Sequence, residues 1–137
     1  MKLVVRTGRG ARAPWADAAC ADWGKRITRW FPFAEVEAER WKKSTRSRVI
    51  VFDERGEEAS SEDVAGWIET AARDGITELV FAVGGPHGHA PGVREEAWKV
   101  IRLGRMVLAH AVARVVVVEQ VYRACCIRAG TPYHHDG

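Results

Sequence analysis

The sequence predicts an α/β protein: a single domain over residues 1–137, built on a parallel-rich sheet with helices on both faces. Three observations predict it. Short β-branched runs alternate along the chain with amphipathic stretches, the pattern of strands joined by crossover helices. The length of 137 residues suits one core. A content of 47% hydrophobic and 28% charged residues is that of a folded globular chain, not a disordered one.

Taken in order, Leu3–Arg6 is a β-branched run that ends at Thr7-Gly8 and reads as a first strand. Pro14–Thr28 follows as a helix with Pro at its first position, placing Trp15, Ala18, Ala19, Trp23 and Ile27 on one face. Phe31-Pro32-Phe33 breaks it, and Ala34–Ala38 reads as a second strand. Val49–Phe52 is a third strand, closed by a turn at Asp53-Glu54-Arg55-Gly56. Ser60 or Ser61 caps a helix running to Asp74, because Ser60 and Asp63 have the spacing of a capping box. Glu78–Val83 is a fourth strand, followed by a glycine loop over 84–92, a helix from about Val93 to Arg102, and a short strand at Arg105–Leu108.

The last run, from His110, holds four consecutive valines that favour β structure, yet it continues for about 17 residues without a breaker, longer than an ordinary strand. It is therefore predicted helical, with Val112, Val115, Val116, Glu119, Tyr122, Arg123, Cys126 and Ile127 along one side, and Gly130 and Pro132 ending it.

The formal charge of +3 permits a nucleic-acid partner without requiring one. Charge is concentrated in RWKKSTRSR (Arg40–Arg48), which has no acid and carries a tryptophan. Two readings stand: a solvated loop, or an arm in which Lys42, Lys43 and Arg46 contact phosphates and Trp41 stacks. Cys20, Cys125 and Cys126 offer no disulfide framework, and without a C-x-x-C no structural zinc site is expected. His87, His89, His134 and His135 are not expected to form a metal cluster. With no apolar run of membrane-spanning length and no secretory leader pattern, the expected location is the cytoplasm, without membrane attachment.

Four motifs carry a resemblance. RVVVVEQVYRA (Arg114–Ala124), followed by a glycine and Pro-Tyr-His, resembles the C-terminus of the bacterial large-subunit ribosomal RNA pseudouridine N3-methyltransferases. These are small members of the SPOUT class of α/β-knot methyltransferases. VFDERGEEASSEDVA (Val51–Ala65), FAVGGPHGH (Phe81–His89) and the His110 before the last helix resemble the same family, in the same order.

The resemblance implies a C-terminal trefoil knot, S-adenosyl-L-methionine as cofactor, a homodimer, and ribosomal RNA or an assembled ribosome as partner. Gly84, Phe52 and the segment Leu103, Gly104, Arg105, Met106, Val107 and Leu108 would line the cofactor pocket. His89 would lie on the rim, and the tail would fold over the partner subunit's pocket. Within that frame His134 is the candidate base, Tyr133 its positioning group, and Arg123, supported by Glu119, the cation that favours an ionised imide. Arg114 either holds an RNA phosphate or bonds to Glu119. The apolar last helix and six tryptophans predict a dimer around Val116 and Val117.

Two departures bear on substrate. The family usually shows a Ser, a Thr and a Pro-His where this chain has Gly104 to His110, and it usually carries an additional helix where this chain has only the basic loop. A small-molecule methyltransferase and a catalytically decayed ribosome-binding module are the alternative functions.

Overall fold

A computed structural model describes residues 1–42 and 44–135. The elements are β1 (Lys2–Thr7), α1 (Pro14–Ile27), β2 (Phe33–Glu37), β3 (Ser47–Glu58), α2 (Ser61–Arg73), β4 (Glu78–Val83), β5 (Lys99–Arg102) and α3 (His110–Ala129). The five strands form one sheet in the order β2-β1-β4-β3-β5, and every pairing is parallel. Central β1 and β4 are almost wholly buried, as parallel strands must be when both sides are covered, and are apolar on both faces except for Arg6 and Thr7 of β1 and Lys2 and Glu78 at their starts.

One face presents Leu3, Val5, Ile50, Leu79, Phe81, Val83 and Ile101 to a single core shared with Cys20 and Ile27 of α1, Ile68 of α2, and Val117, Val118 and Val121 of α3. All three helices therefore pack on this face, with α3 between α1 and α2, which corrects the expectation of helices on both faces. Over the opposite face, which carries Val4, Arg6, Val49 and Ala82, lie irregular segments at 40–41 and 91–98.

The local signals in α2 hold. Ser60 accepts from the Asp63 backbone N–H at 3.0 Å while Asp63 accepts from the Ser60 N–H at 2.9 Å, closing the capping box. At the far end of α3, Gly130 takes the left-handed conformation at φ 72° that ends the helix.

Four further expectations are corrected. In α1 the buried residues are Ala16, Cys20, Gly24 and Ile27, whereas Trp15 is 56% exposed. The helix presents its small residues inward because it approaches β2 closely: a Cβ on Gly24 would stand 2.9 Å from the Phe33 ring. Asp53 to Gly56 is not a turn that ends β3. The strand runs on to Glu58 through an irregularity between Phe52 and Glu57, and Gly56 lies directly on the backbone of Ile101.

The third correction concerns residues 93–102, which are not helical. Pro91 and Gly92 (φ 89°) start a series of turns, and Lys99–Arg102 pairs with β3 as strand β5, so no separate strand forms at 105–108. Trp98 donates its N–H to the Val49 carbonyl at 2.8 Å at the start of that pairing. An edge of β3 able to satisfy backbone groups outweighs the helical periodicity. Finally, the buried side of α3 is Arg114, Val117, Val118, Val121, Ala124, Cys125 and Cys126, so of the predicted stripe only Cys126 is buried: Val115, Val116, Glu119, Tyr122, Arg123 and Ile127 are half-buried and Val112 is exposed. Val117, fully buried in its own core, is thus not part of any dimer face.

Candidate active site

The glycine loop is shaped by close backbone approach. Gly85 and Gly88 exchange N–H···O=C bonds of 3.1 and 3.0 Å, closing a tight turn whose last residue has φ 80°. A Cβ on Gly8 would meet the Gly85 nitrogen at 2.6 Å, so β1 ends against this turn. Two histidines hold it in place. His89 Nε2 lies 2.7 Å from the Phe52 carbonyl, and His110 Nδ1, at the start of α3, lies 3.2 Å from the Gly84 carbonyl. Phe52, Gly84, His89 and His110 are thereby brought together at the C-terminal end of β4, beside the irregularity in the middle of β3, on the sheet edge where parallel α/β sheets place their ligands.

The segment from Leu103 to Leu108 leads from β5 back to His110. Leu103 is 37%, Met106 84% and Val107 83% exposed, an apolar surface with nothing over it in the protomer. Residues 104–108 make no backbone hydrogen bond to any described residue, and Gly104 adopts φ 152°. Apolar side chains beside open main-chain N–H and C=O groups fit a nucleoside-type ligand held by backbone contacts.

The tail forms a second cluster. Glu119 accepts from Arg123 Nε at 3.1 Å, from the Tyr133 hydroxyl at 3.2 Å and from Gln120 Nε2 at 2.9 Å. The Arg123 guanidinium stands 4.8 Å from the centre of the Tyr133 ring, and Tyr133 packs edge-on against Tyr122. Burial, and then the neighbouring Glu119 carboxylate, push the Tyr133 hydroxyl above its ordinary pKa, so it stays a neutral donor. Arg123 Nη1 donates to His134 Nδ1 at 3.1 Å, and His134 Nε2 faces Glu62 at 2.6 Å. An arginine cannot accept and a carboxylate cannot donate, which fixes Nε2 as the protonated nitrogen of the ring.

Arg123, Tyr133 and His134 thus converge within one protomer. Glu62 of α2, and the Ser61–Gln120 bond of 2.6 Å that joins α2 to this cluster, were not foreseen. The only local sign of Glu62 was its place in the first turn of a well-capped helix.

Arg114 sits elsewhere. It is 3% exposed, binds both oxygens of Glu35 at 2.8 and 3.0 Å, and reaches Asp17 at 2.5 Å. The expected bond to Glu119 is absent, and a guanidinium already engaged by two carboxylates has little left for a phosphate. Hydrogen bonding to Glu35 raises its pKa further, and the Arg114 bond holds Asp17 below the usual carboxylate range.

Of the basic loop, Lys42 and Arg46 are exposed, and Lys43 lies outside the described residues. Arg48, by contrast, pairs with Asp74 at 2.8 Å and stacks 4.5 Å from the Trp98 ring centre. Among the described residues no three His, Cys, Asp or Glu side chains are grouped as metal ligands would be, and no helix is long and apolar enough to cross a membrane.

A parallel sheet with a glycine turn, a backbone-rich apolar segment and an Arg-Tyr-His tail together describe an α/β methyltransferase. The chain belongs to the SPOUT methyltransferase family: the family described as "Predicted SPOUT methyltransferase" matches residues 1–134. More particularly, it is 35% identical over 153 positions to the ribosomal RNA large subunit methyltransferase H of Geotalea uraniireducens (strain Rf4), covering 98% of this chain and 100% of the relative. The protein of the same name from Geobacter sulfurreducens is 34% identical over 153 positions, covering 98% of this chain and 100% of that one. That from Thiobacillus denitrificans is 45% identical over 87 residues, covering 64% and 55%. Alignments of 153 positions against a chain of 137 residues agree with a shortened segment in this protein.

Proposed function

We propose that the protein transfers the methyl group of S-adenosyl-L-methionine to N3 of a pseudouridine in large-subunit ribosomal RNA. It would act as a knotted homodimer in the cytoplasm, with the whole chain as one catalytic domain. The observation that carries the reading is the constellation of Glu119, Arg123, Tyr133 and His134 on the last helix and tail, in a member of a methyltransferase family whose relatives bear a ribosomal RNA methyltransferase name.

The residues suited to the cofactor are Phe52, Gly84 and the 103–108 segment, where apolar side chains would cover the adenosine and open backbone groups would bond its polar edges. When bound, the cofactor supplies an activated methyl; the protein must align the acceptor and remove one proton. Arg123, oriented by Glu119 and Tyr133, is the cation that lowers the cost of an imide anion. His134 is the candidate base, but in the conformation described its Nδ1 lone pair accepts from Arg123, and its Nε2 is protonated. For proton transfer to occur, substrate must displace one of these contacts, most simply by taking Arg123 from His134.

The distance between the two clusters supports the dimeric part of the reading. Gly84 is tied to His110, and Arg123 lies thirteen residues further along α3, roughly 20 Å at 1.5 Å per residue. A methyl transfer needs contact, so the tail fits better over the pocket of a second copy, packed along the stripe of Val112, Val115 and Val116. In this reading His89 belongs to the pocket rim, and Lys42 and Arg46 contact RNA phosphates. Arg114 is a framework residue in this scheme.

The test is transfer of labelled methyl to ribosomal particles that lack the modification, set against a panel of small aromatic acceptors. Label in the large-subunit RNA supports the reading. Label only in a small acceptor, or none with the cofactor bound, contradicts it.

A further inference from the structure

The helix-free face of the sheet holds a cleft of about 360 Å³ between the loop at 40–41 and the turns at 91–98. Val49 and Arg6 lie on its floor, Arg40, Trp41 and Val93 are on its walls, and Glu96 is exposed at the rim. It is separate from the Gly84 turn and the tail, none of whose residues line it.

Arg6 is the unusual member. Among the described residues two arginines are buried to 3% exposure, Arg6 and Arg114. Arg114 is matched by Glu35, Asp17 and the Ala11 carbonyl. The Arg6 guanidinium makes no hydrogen bond or ion pair with any described residue; Glu39 acts on it only at a distance, and its carboxylate is bonded to the Arg9 N–H instead. An isolated cation on the floor of a cleft is costly in the folded protein, and burial accordingly lowers its pKa. The geometry that would remove that cost is an anion entering the cleft.

We infer that this cleft is a phosphate-and-base subsite for the RNA strand: a backbone phosphate seats on Arg6 and Arg40, and the adjoining base lies against Trp41. Each part of the ligand answers a feature of the cleft. The buried cation takes the charge, and the indole gives a face on which any base can stack. Glu96 at the rim would repel a second phosphate but accept a hydrogen bond from a ribose 2′-hydroxyl, a group that RNA has and DNA lacks. The basic loop supplies further cations beside the opening, at Lys42 and Arg46. The inference rests on the ribosomal RNA reading above and adds to it a subsite away from the reacting base.

The experiment uses the full-length protein and a labelled single-stranded RNA oligomer of about ten nucleotides, titrated over a range of salt. The wild type is expected to bind, and Arg6→Met to bind about tenfold more weakly with a salt slope smaller by about 0.7, one phosphate contact on a single strand. Its melting temperature is expected to be unchanged or higher, since an unmatched buried charge is removed. Trp41→Ala is expected to lose about tenfold in affinity with no change of slope. Unchanged affinity and slope in Arg6→Met would overturn the inference, and so would a deoxyribose oligomer bound as tightly as RNA. If Arg6→Met does not fold, Trp41→Ala and Arg40→Ala decide, and wild-type RNA affinity in both overturns it.

The two readings fail separately. Arg6-dependent RNA binding without methyl transfer to ribosomal particles would retain the subsite and reject the function. Methyl transfer with KM and RNA affinity untouched by Arg6→Met would do the reverse.

Discussion

Replacing Arg114 by Met removes a cation of similar length from a site where Glu35, with a side chain 19% exposed, has few other partners. Asp17, 40% exposed, can return to water, so losing its partner costs less than at Glu35. Breaking a buried pair by deleting one partner costs about 3–5 kcal/mol, mostly because the other charge is left unmatched. Partial exposure of Glu35 places this case near the lower end, about 3 kcal/mol. For a chain of this size that corresponds to a fall in melting temperature of roughly 10 °C. Adding Glu35→Met to Arg114→Met removes the stranded carboxylate and should recover at least half of the loss. Differential scanning calorimetry of the two single variants and the double variant measures this. Affinity for S-adenosyl-L-methionine and the salt dependence of RNA binding should stay at wild-type values in whichever variants fold. An Arg114→Met protein as stable as wild type, yet with a reduced salt slope for RNA, would refute the framework role and return Arg114 to the phosphates.

Other outcomes follow from the same structure. Truncation after Pro132 should leave the fold and cofactor affinity nearly intact while lowering methyl transfer by about a hundredfold or more, with His134→Ala reproducing most of the loss; single-turnover transfer checks it. Gly8→Ala should destabilise the protein and impair cofactor binding together, because the added Cβ would strike the Gly85 backbone at 2.6 Å; thermal melts with and without cofactor separate the effects. Burial pushes the Cys20 thiol to about 11 and Cys125 to about 12, and Cys126 is shielded by its burial alone, so at pH 8 native protein should resist thiol reagents that label all three cysteines in denaturant. Asp17, whose folded pKa is depressed, stabilises the fold above its unfolded value of about 3.9. That contribution is lost as pH falls through the lower folded value, and Arg114→Met should abolish it in acid titrations followed by circular dichroism.

What could be read in the sequence was whatever its neighbours along the chain determine. The capping box of Ser60 and Asp63, the buried run Glu78–Val83 and the helix ended by Gly130 each depend on residues within a few positions. Pairings across the chain could not be read in this way. Lys99–Arg102 becomes a strand because β3 offers an edge, and Arg114 is fixed by a glutamate 79 residues away. Of the candidate site, Arg123 with Glu119 was legible as a four-residue helical pair, and Tyr133 and His134 were legible through the resemblance. Glu62, 72 residues from His134, was not, and its contact is what fixes the imidazole tautomer. Arg6 gave no signal beyond being a basic residue in an apolar strand, because its isolation depends on loops that carry no trace of it.

The most direct measurement is the identity of the methylated nucleoside. Large-subunit particles lacking the modification would be treated with the protein and S-adenosyl-L-methionine, and the RNA digested and resolved by mass spectrometry. The account predicts one new N3-methylpseudouridine per particle, absent when the protein is truncated after Pro132. A methyl group on another base or on ribosomal protein, or full yield from the truncated chain, would contradict it.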